Sequence, residues 1–199
     1  MGPSQPTVQP NKSVFRYPDG ADSDNNIRDF VQQNATSLLI SSVVGSNNVK
    51  VAGVADFSIG QKIIIGSGAN SETAIIAAVG TAGGTTIGNV TEEGKKTIPV
   101  ASVEGFGAGQ TVTIDNGANL ETVVVATIIP ARRRFGNPNN VSDSVTFAMP
   151  LKYAHVSGTQ ISGSGITLAA PLTKAHDKGT SVAGNIPTPG EPNQYFRKP

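Results

Sequence analysis

Residues 60–73, GQKIIIGSGANSET, recur 49 positions later as residues 109–122, GQTVTIDNGANLET. The similarity extends without a gap over residues 47–79 and 96–128, with 13 identities in 33 positions. In both copies, two β-branched stretches flank a Gly/Asn turn. This pattern predicts a β-hairpin whose loop needs positive φ angles. The apolar residues of each return strand are nearly continuous, which predicts strands buried on both faces in a small barrel or sandwich.

A second, shorter repeat follows. Residues 144–162, SVTFAMPLKYAHVSGTQIS, match residues 165–183, GITLAAPLTKAHDKGTSVA, at an offset of 21. Each copy carries the phrase PL-x-x-AH-x-x-GT between two predicted strands. The chain therefore contains two long repeats followed by two short repeats. One long repeat and one short repeat together would complete a structural unit.

This order permits a tandem pairing of the halves or the insertion of one unit within the other. We predict insertion, because the inner unit then closes locally and only the outer unit makes long-range pairings. It also brings the two ends of the outer unit together, as inserted domains require. The expected fold class is all-β, with two pseudo-repeated small barrel or sandwich units, the second nested within the first. The expected segments are an extended arm (1–13), leading strands (14–46), an outer unit (47–87 with 165–183), an inner unit (88–164) and an extended tail (184–199).

Composition excludes several classes of function. The net charge is +1 and charged residues form 15% of the chain, so no global field favours nucleic acid. No apolar run is long enough for a membrane span. The absence of cysteine excludes disulfides, thiolate metal sites and a cysteine nucleophile. The 23 Gly and 13 Pro fit short strands joined by tight turns.

The region before the repeats contains an acidic run with short predicted strands at residues 14–17, 28–31 and 36–44. Oxygen-rich side chains of this kind are preferred by calcium, so Asp19, Asp22 and Asp24 are candidate ligands. The spacing lacks the Gly and Glu positions of an EF-hand loop, and we interpret the run as a turn whose side chains bond the backbone.

Two groups of residues carry a resemblance to known families. Residues 17–30, YPDGADSDNNIRDF, with residues 187–193, PTPGEPN, resemble the last part of bacterial lamin-tail domains. The pattern GQ-x-I-x-I-x-x-GAN-x-ET…PL-x-x-AH-x-x-G is similar to β-repeats in the C-terminal, non-catalytic regions of secreted bacterial proteins. The secreted proteins include some carbohydrate-active enzymes, and the pattern is also similar to repeats in phage structural proteins. The resemblance implies an excised or mature segment that acts outside the cell or at its surface, and it implies no activity.

The recurring titratable residues are Glu72 with Glu121 and His155 with His176. One Glu and one His per unit, with Asn70 or Asn119 nearby, could form an acid/base pair or a metal site. The alternative is structural, with each Glu accepting amide hydrogens from its preceding turn and each His bonding the backbone of the AH-x-x-G turn. We favour the structural role because catalytic sites are rarely duplicated within one chain, and we expect no catalytic residue, no metal and no cofactor.

Ligand-binding candidates are few. Arg132, Arg133 and Arg134 form the one basic cluster, in a long predicted loop. We favour a solvated loop tip, and the alternative is a contact with an anionic glycan or phosphate. The chain has no Trp, and the tyrosines Tyr17, Tyr153 and Tyr195 are scattered, so a stacking platform for sugars is not evident. Of these, Tyr153 is the remaining candidate for a ligand contact.

The sequence thus predicts a non-catalytic, extracellular structural, assembly or adhesion module, such as a stalk, a surface protein or a filament subunit. The expected partners are further copies of the chain or a parent multidomain protein. The alternative function is a carbohydrate-binding module attached to a secreted glycoside hydrolase, with a polysaccharide as its partner.

Overall fold

The computed structural model describes residues 12–16, 30–131 and 142–184, with side chains from residue 33 onward. The described elements are β-strands and one short 3-10 turn at Gly68–Asn70. The strands are β1 Lys12–Arg16, β2 Phe30–Ser37, β3 Asn48–Val49, β4 Lys62–Ile65, β5 Glu72–Val79, β6 Gly84–Thr86, β7 Thr97–Pro99, β8 Thr111–Ile114, β9 Glu121–Ile129, β10 Ser144–Phe147, β11 Gln160–Ser162, β12 Ile166–Leu168 and β13 Ser181–Gly184.

The strands form two antiparallel sheets with the same internal order. The first runs β1-β2-β13-β4-β5-β12-β3, and the second runs β6-β11-β8-β9-β10-β7. When β1 is set aside, each strand of the first sheet has its counterpart at the same place in the second. The expected all-β fold with two pseudo-equivalent units is therefore confirmed. The nested arrangement is confirmed as well, because strands 84–162 pair only among themselves, within a sheet order formed by strands before and after them.

Each sheet curls back on itself. In the inner unit, Ile87 bridges Val100, and Gly88 N–H donates to Pro99 O. In the outer unit, Leu38 bridges Val51 at the corresponding position, 49 residues earlier. These contacts join the two ends of each six-stranded order, so most edges within a unit are paired.

The units begin earlier than the sequence repeat indicated. β2 and β6 are equivalent strands, and their equivalence places the starts of the outer and inner units near residues 35 and 84, instead of 47 and 88. Few residues are identical between positions 35–46 and 84–95, so the sequence repeat does not extend to these strands. The predicted strand over residues 36–44 was also too long, since β2 ends at Ser37 and only isolated bridges follow.

Each unit has its own hydrophobic core. Eleven buried residues of the outer unit have apolar counterparts among the twelve of the inner unit, and Val123 is the additional one. The outer set is Leu38, Val49, Val51, Phe57, Ile63, Ile65, Ile76, Ile166, Leu168, Leu172 and Val182. The long strands bury alternate residues, for example Glu121, Val123 and Val125 in β9, so the prediction of strands buried on both faces was wrong. Barrel walls have one inner and one outer face, and the apolar residues on the outer face remain exposed.

The units are connected by two chain segments, residues 80–83 and residues 163–165, which run antiparallel to each other where they cross. Gly80 N–H donates to Gly165 O, and Gly163 N–H donates to Gly83 O. A Cβ at Gly163 would lie 2.3 Å from Ala82 O, so this close backbone approach requires glycine. The far ends of the outer unit are also neighbours, because Ala183 of β13 pairs with Ala35 of β2.

Candidate functional site

The two repeats meet at a Glu–His pair in each unit. The glutamate is the first residue of the long strand, Glu72 in β5 and Glu121 in β9. The histidine follows the short repeat's PL phrase and is held by a bridge to the segment after the unit's first strand, His176 to Ser42 and His155 to Thr91. The fold therefore brings together the four titratable residues that the sequence singled out, as one pair per unit.

In the outer unit, four hydrogen bonds join Glu72 to the short repeat. His176 Nε2 lies 2.7 Å from Glu72 Oε1, and both the backbone N–H and the hydroxyl of Thr173 donate to Oε2 at 2.8 and 2.7 Å. Lys174 N–H donates to Oε1 at 3.2 Å. Burial raises the pKa of Glu72, but the bonds from Thr173, His176 and Lys174 outweigh it and lower this pKa to about 2. Glu72 is therefore a carboxylate at neutral pH.

In the inner unit, Glu121 makes the same connection. Its Oε1 lies 2.7 Å from His155 Nε2, and its Oε2 accepts the N–H of Lys152 at 3.0 Å. Glu121 is more deeply buried than Glu72, with a side chain only 4% exposed. The side chains of both histidines are fully buried.

The predicted roles of these residues were structural, but the predicted partners were wrong. Each glutamate bonds the short repeat instead of its own preceding turn, and each histidine ring bonds the glutamate instead of backbone. The asparagines make a parallel link, since Asn70 Nδ2 donates to Ala175 O at 3.0 Å and Asn119 Nδ2 reaches Ala154 O at 3.5 Å. The sequence did not reveal these pairings because the partners lie 31 to 105 residues apart.

Asp115 makes the two pairs different, and sequence reasoning missed it. Its Oδ2 lies 3.6 Å from His155 Nδ1, while the corresponding residue of the outer unit is Gly66. Both residues have positive φ, 68° for Asp115 and 86° for Gly66. A hydrogen bond from Asn116 N–H, then one from Gly117 N–H and the charge of His155, lower the pKa of Asp115 against a smaller effect of burial. The replacement of Gly by Asp at a repeat position that needs positive φ was the available signal.

These sites offer little for chemistry on a substrate. Each His Nε2 is engaged by a carboxylate, and each Nδ1 is buried without a hydrogen-bond partner among the described residues. No group of three or more metal-ligating side chains occurs within residues 12–16, 30–131 and 142–184. The arrangement is that of an internal cross-link between repeats.

The other candidates lie elsewhere. Tyr153 is 40% exposed, and it lies between Lys152 and the AH phrase. The calcium candidates Asp19, Asp22 and Asp24 and the basic residues Arg132, Arg133 and Arg134 fall outside the described residues.

A shallow groove lies beside the Glu–His pair in each unit. The outer groove, of about 540 Å³, lies between residues 71–75 and residues 169–174. The inner groove, of about 520 Å³, lies between residues 121–124 and the segment 148–152. The grooves occupy equivalent positions in the repeat, and sequence reasoning missed both because they depend on how two distant segments diverge.

Comparisons with known proteins do not assign the chain to a family. No protein-family model matches it, and no curated protein matches its sequence. Within the part of the chain that the structure describes, there is no helix of the length and hydrophobicity needed to cross a membrane.

Proposed function

We propose that this protein is a non-catalytic β module with a structural or assembly role, acting outside the cell or at its surface. The observation that carries the proposal is the repeated Glu–His cross-link. The two histidine side chains are fully buried, and both glutamates bind backbone amides of the short repeat. Residues used in this way stabilise the fold and do not meet a substrate. The extracellular location rests on the resemblance of the repeats to those of secreted bacterial proteins.

A free sheet edge supports the assembly role. Among the described strands, β1 pairs with β2 alone and is the terminal strand of its sheet. A terminal strand presents unpaired backbone groups that can pair with another chain. Self-association through β1 is therefore the mode of assembly we propose.

The described aromatic side chains give no support to the carbohydrate-binding alternative. Phe57, Phe106 and Phe147 are buried in the two cores, and Tyr153 is exposed alone. Stacking-type sugar sites need an exposed aromatic surface, which these residues do not form.

The test is self-association measured on two versions of the protein. Light scattering and negative-stain electron microscopy would compare the full chain with a chain lacking residues 1–16. We expect ordered oligomers of the full chain that disappear on truncation, with unchanged circular dichroism. A monodisperse monomer of the full chain at high concentration would refute the assembly role.

A catalytic role has a different signature. It would require that His155→Ala abolish a turnover while leaving the fold intact. We expect this substitution to destabilise the inner unit instead.

A further inference from the structure

The two halves of the long strand in each unit have different neighbours, the first half on one side of the strand and the second half on the other. In β5, residues 72–75 pair with β4, whereas β12 pairs only from Ile76 onward. In β9, residues 121–124 pair with β8, and β10 pairs only from Val125 onward. Among the described strands, none lies beside the first half of β5 or β9 on the groove side. Both grooves therefore contain a short, open strand edge.

The pairing pattern identifies the backbone groups at this edge. Val125 N–H donates to Gln110 O, and Val125 O accepts Gly109 N–H, so Val125 faces β8. Because backbone groups alternate between the two sides of a strand, those of Thr122 and Val124 face the groove. The C=O of Val124 already accepts a hydrogen bond from Ala148 N–H. Among the residues that the structure describes, none bonds the N–H and C=O of Thr122 or the N–H of Val124, so these groups are open to an extended chain.

The two grooves differ in their walls. The strand residues are alike, since Val124 of the inner groove is 41% exposed and its counterpart Ile75 of the outer groove is 45% exposed. The opposite walls differ, because the inner groove is lined by Met149, which is 69% exposed. The outer groove has Ala170 where the inner one has Met149. The inner groove therefore offers more exposed apolar surface beside its strand edge, which is the combination that favours an added strand with apolar side chains.

We propose that the inner groove accepts strand β1 of a second copy of this chain. This inference rests on the proposed assembly function and names its acceptor. β1 has five residues, KSVFR, with an apolar centre and one free edge among the described strands, which matches a short edge flanked by apolar side chains. The contact joins two different surfaces, so repeating it produces head-to-tail chains of copies.

The first experiment uses the same substitution in both grooves. Thr122→Pro removes an N–H that faces the inner groove and leaves the pairing with β8 in place. Thr73→Pro makes the equivalent change in the outer groove and is the matched control. We expect Thr122→Pro to weaken self-association by roughly tenfold or more in sedimentation experiments, and Thr73→Pro to leave it unchanged.

The second experiment does not depend on the fold tolerating proline. The chain contains no cysteine, so single introduced thiols can be cross-linked without background. A Val14→Cys protein would be mixed with a Met149→Cys protein under oxidising conditions, and Ala170→Cys would replace Met149→Cys in the control mixture. We expect a disulfide-linked heterodimer of the first pair and several-fold less of the second.

The outcomes separate this inference from the proposed function. If the full chain assembles but Val14→Cys does not link to Met149→Cys, the acceptor is wrong and the assembly role stands. Equal linkage to positions 149 and 170 would also overturn the choice of the inner groove. If the full chain is a monomer at all concentrations, both the acceptor and the assembly role are wrong.

Discussion

At the scale of single residues, the buried Glu–His pairs concentrate several hydrogen bonds on one carboxylate in each unit. Each pair ties the long repeat to the short repeat, over 34 residues in the inner unit and 104 in the outer unit. A carboxylate that accepts several hydrogen bonds in a buried position is costly to remove, because its donors lose their partner. These residues therefore matter to stability even though we assign them no catalytic role.

Substitution of Glu121 tests this point. Glu121→Gln removes the charge that faces His155 and should lower the free energy of unfolding of the inner unit by about 2–3 kcal/mol. The measurement is chemical denaturation followed by circular dichroism. Glu104→Gln, at a surface position of the same unit, is the control and should change stability by less than about 0.5 kcal/mol. A loss no larger than that of the control would show that the pair contributes little.

Glu72 predicts a pH dependence of the outer unit. Its folded pKa of about 2 lies below the ordinary value of 4.5, so the unfolded state binds its proton first. This contribution is fully present above the ordinary value and is lost as the pH falls toward about 2. Acid titration of the wild type and Glu72→Gln should show a weaker dependence for the variant in this range. Identical acid transitions would contradict the prediction.

At the scale of elements, the hairpins were predicted well and their neighbours poorly. The β-branched stretches, the Gly/Asn turns between them and the repeat at an offset of 49 predicted two hairpins, β4 with β5 and β8 with β9. These were predictable because the two strands of each hairpin are neighbours in the sequence. The first strand of each unit was assigned wrongly, since β2 and β6 keep few identical residues and pair with strands near the other end of their units. The sequence could suggest that a Glu and a His meet in each unit, but the further donors could not be predicted. Lys152 and Thr173 both donate backbone amides, which any residue supplies, and Thr173 adds its hydroxyl.

The crossing at Gly163 also belongs to this scale. Gly163→Ala would place a Cβ 2.3 Å from Ala82 O and 2.5 Å from Thr81 O, so the two connecting segments must separate. We expect a loss of about 1–3 kcal/mol, read as a lower midpoint of thermal unfolding. Gly107→Ala is a suitable control, because nothing lies within 4 Å of its added Cβ. Equal effects at both positions would mean that the crossing is not tightly packed.

At the scale of the whole molecule, nesting makes the stability of the outer unit depend on the folding of the inner unit, but not the reverse. An unfolded inner unit would leave a loop of roughly 80 residues within the outer unit, at an entropic cost of about 4 kcal/mol. An unfolded outer unit imposes no such loop on the inner one, whose core is made of its own residues. The inner unit can therefore stay folded alone, whereas the outer unit depends on it.

Equivalent core substitutions test this asymmetry. Leu168→Ala weakens the outer core and Phe147→Ala the inner core, at matching positions of the short repeat. We expect Leu168→Ala to separate unfolding into two steps, with the inner unit keeping its hydrogen-exchange protection after the outer unit has lost its own. Phe147→Ala should give one step in which both units lose protection together. Two independent transitions in both variants would rule out the coupling.

The inner unit is inserted into the outer unit between β5 and β12. The corresponding place in the inner unit, between β9 and β10, is occupied by residues 130–143. The two sides of that loop already meet, because Ala131 N–H donates to the side chain of Asp143 at 2.6 Å. The architecture is therefore recursive: a further unit, or a foreign domain with adjacent termini, could be spliced in at residues 130–143 as the inner unit is spliced into the outer one. Successive insertions of this kind would lengthen the protein from its middle, while β2 and β13, at the two ends of the outer unit, stay side by side.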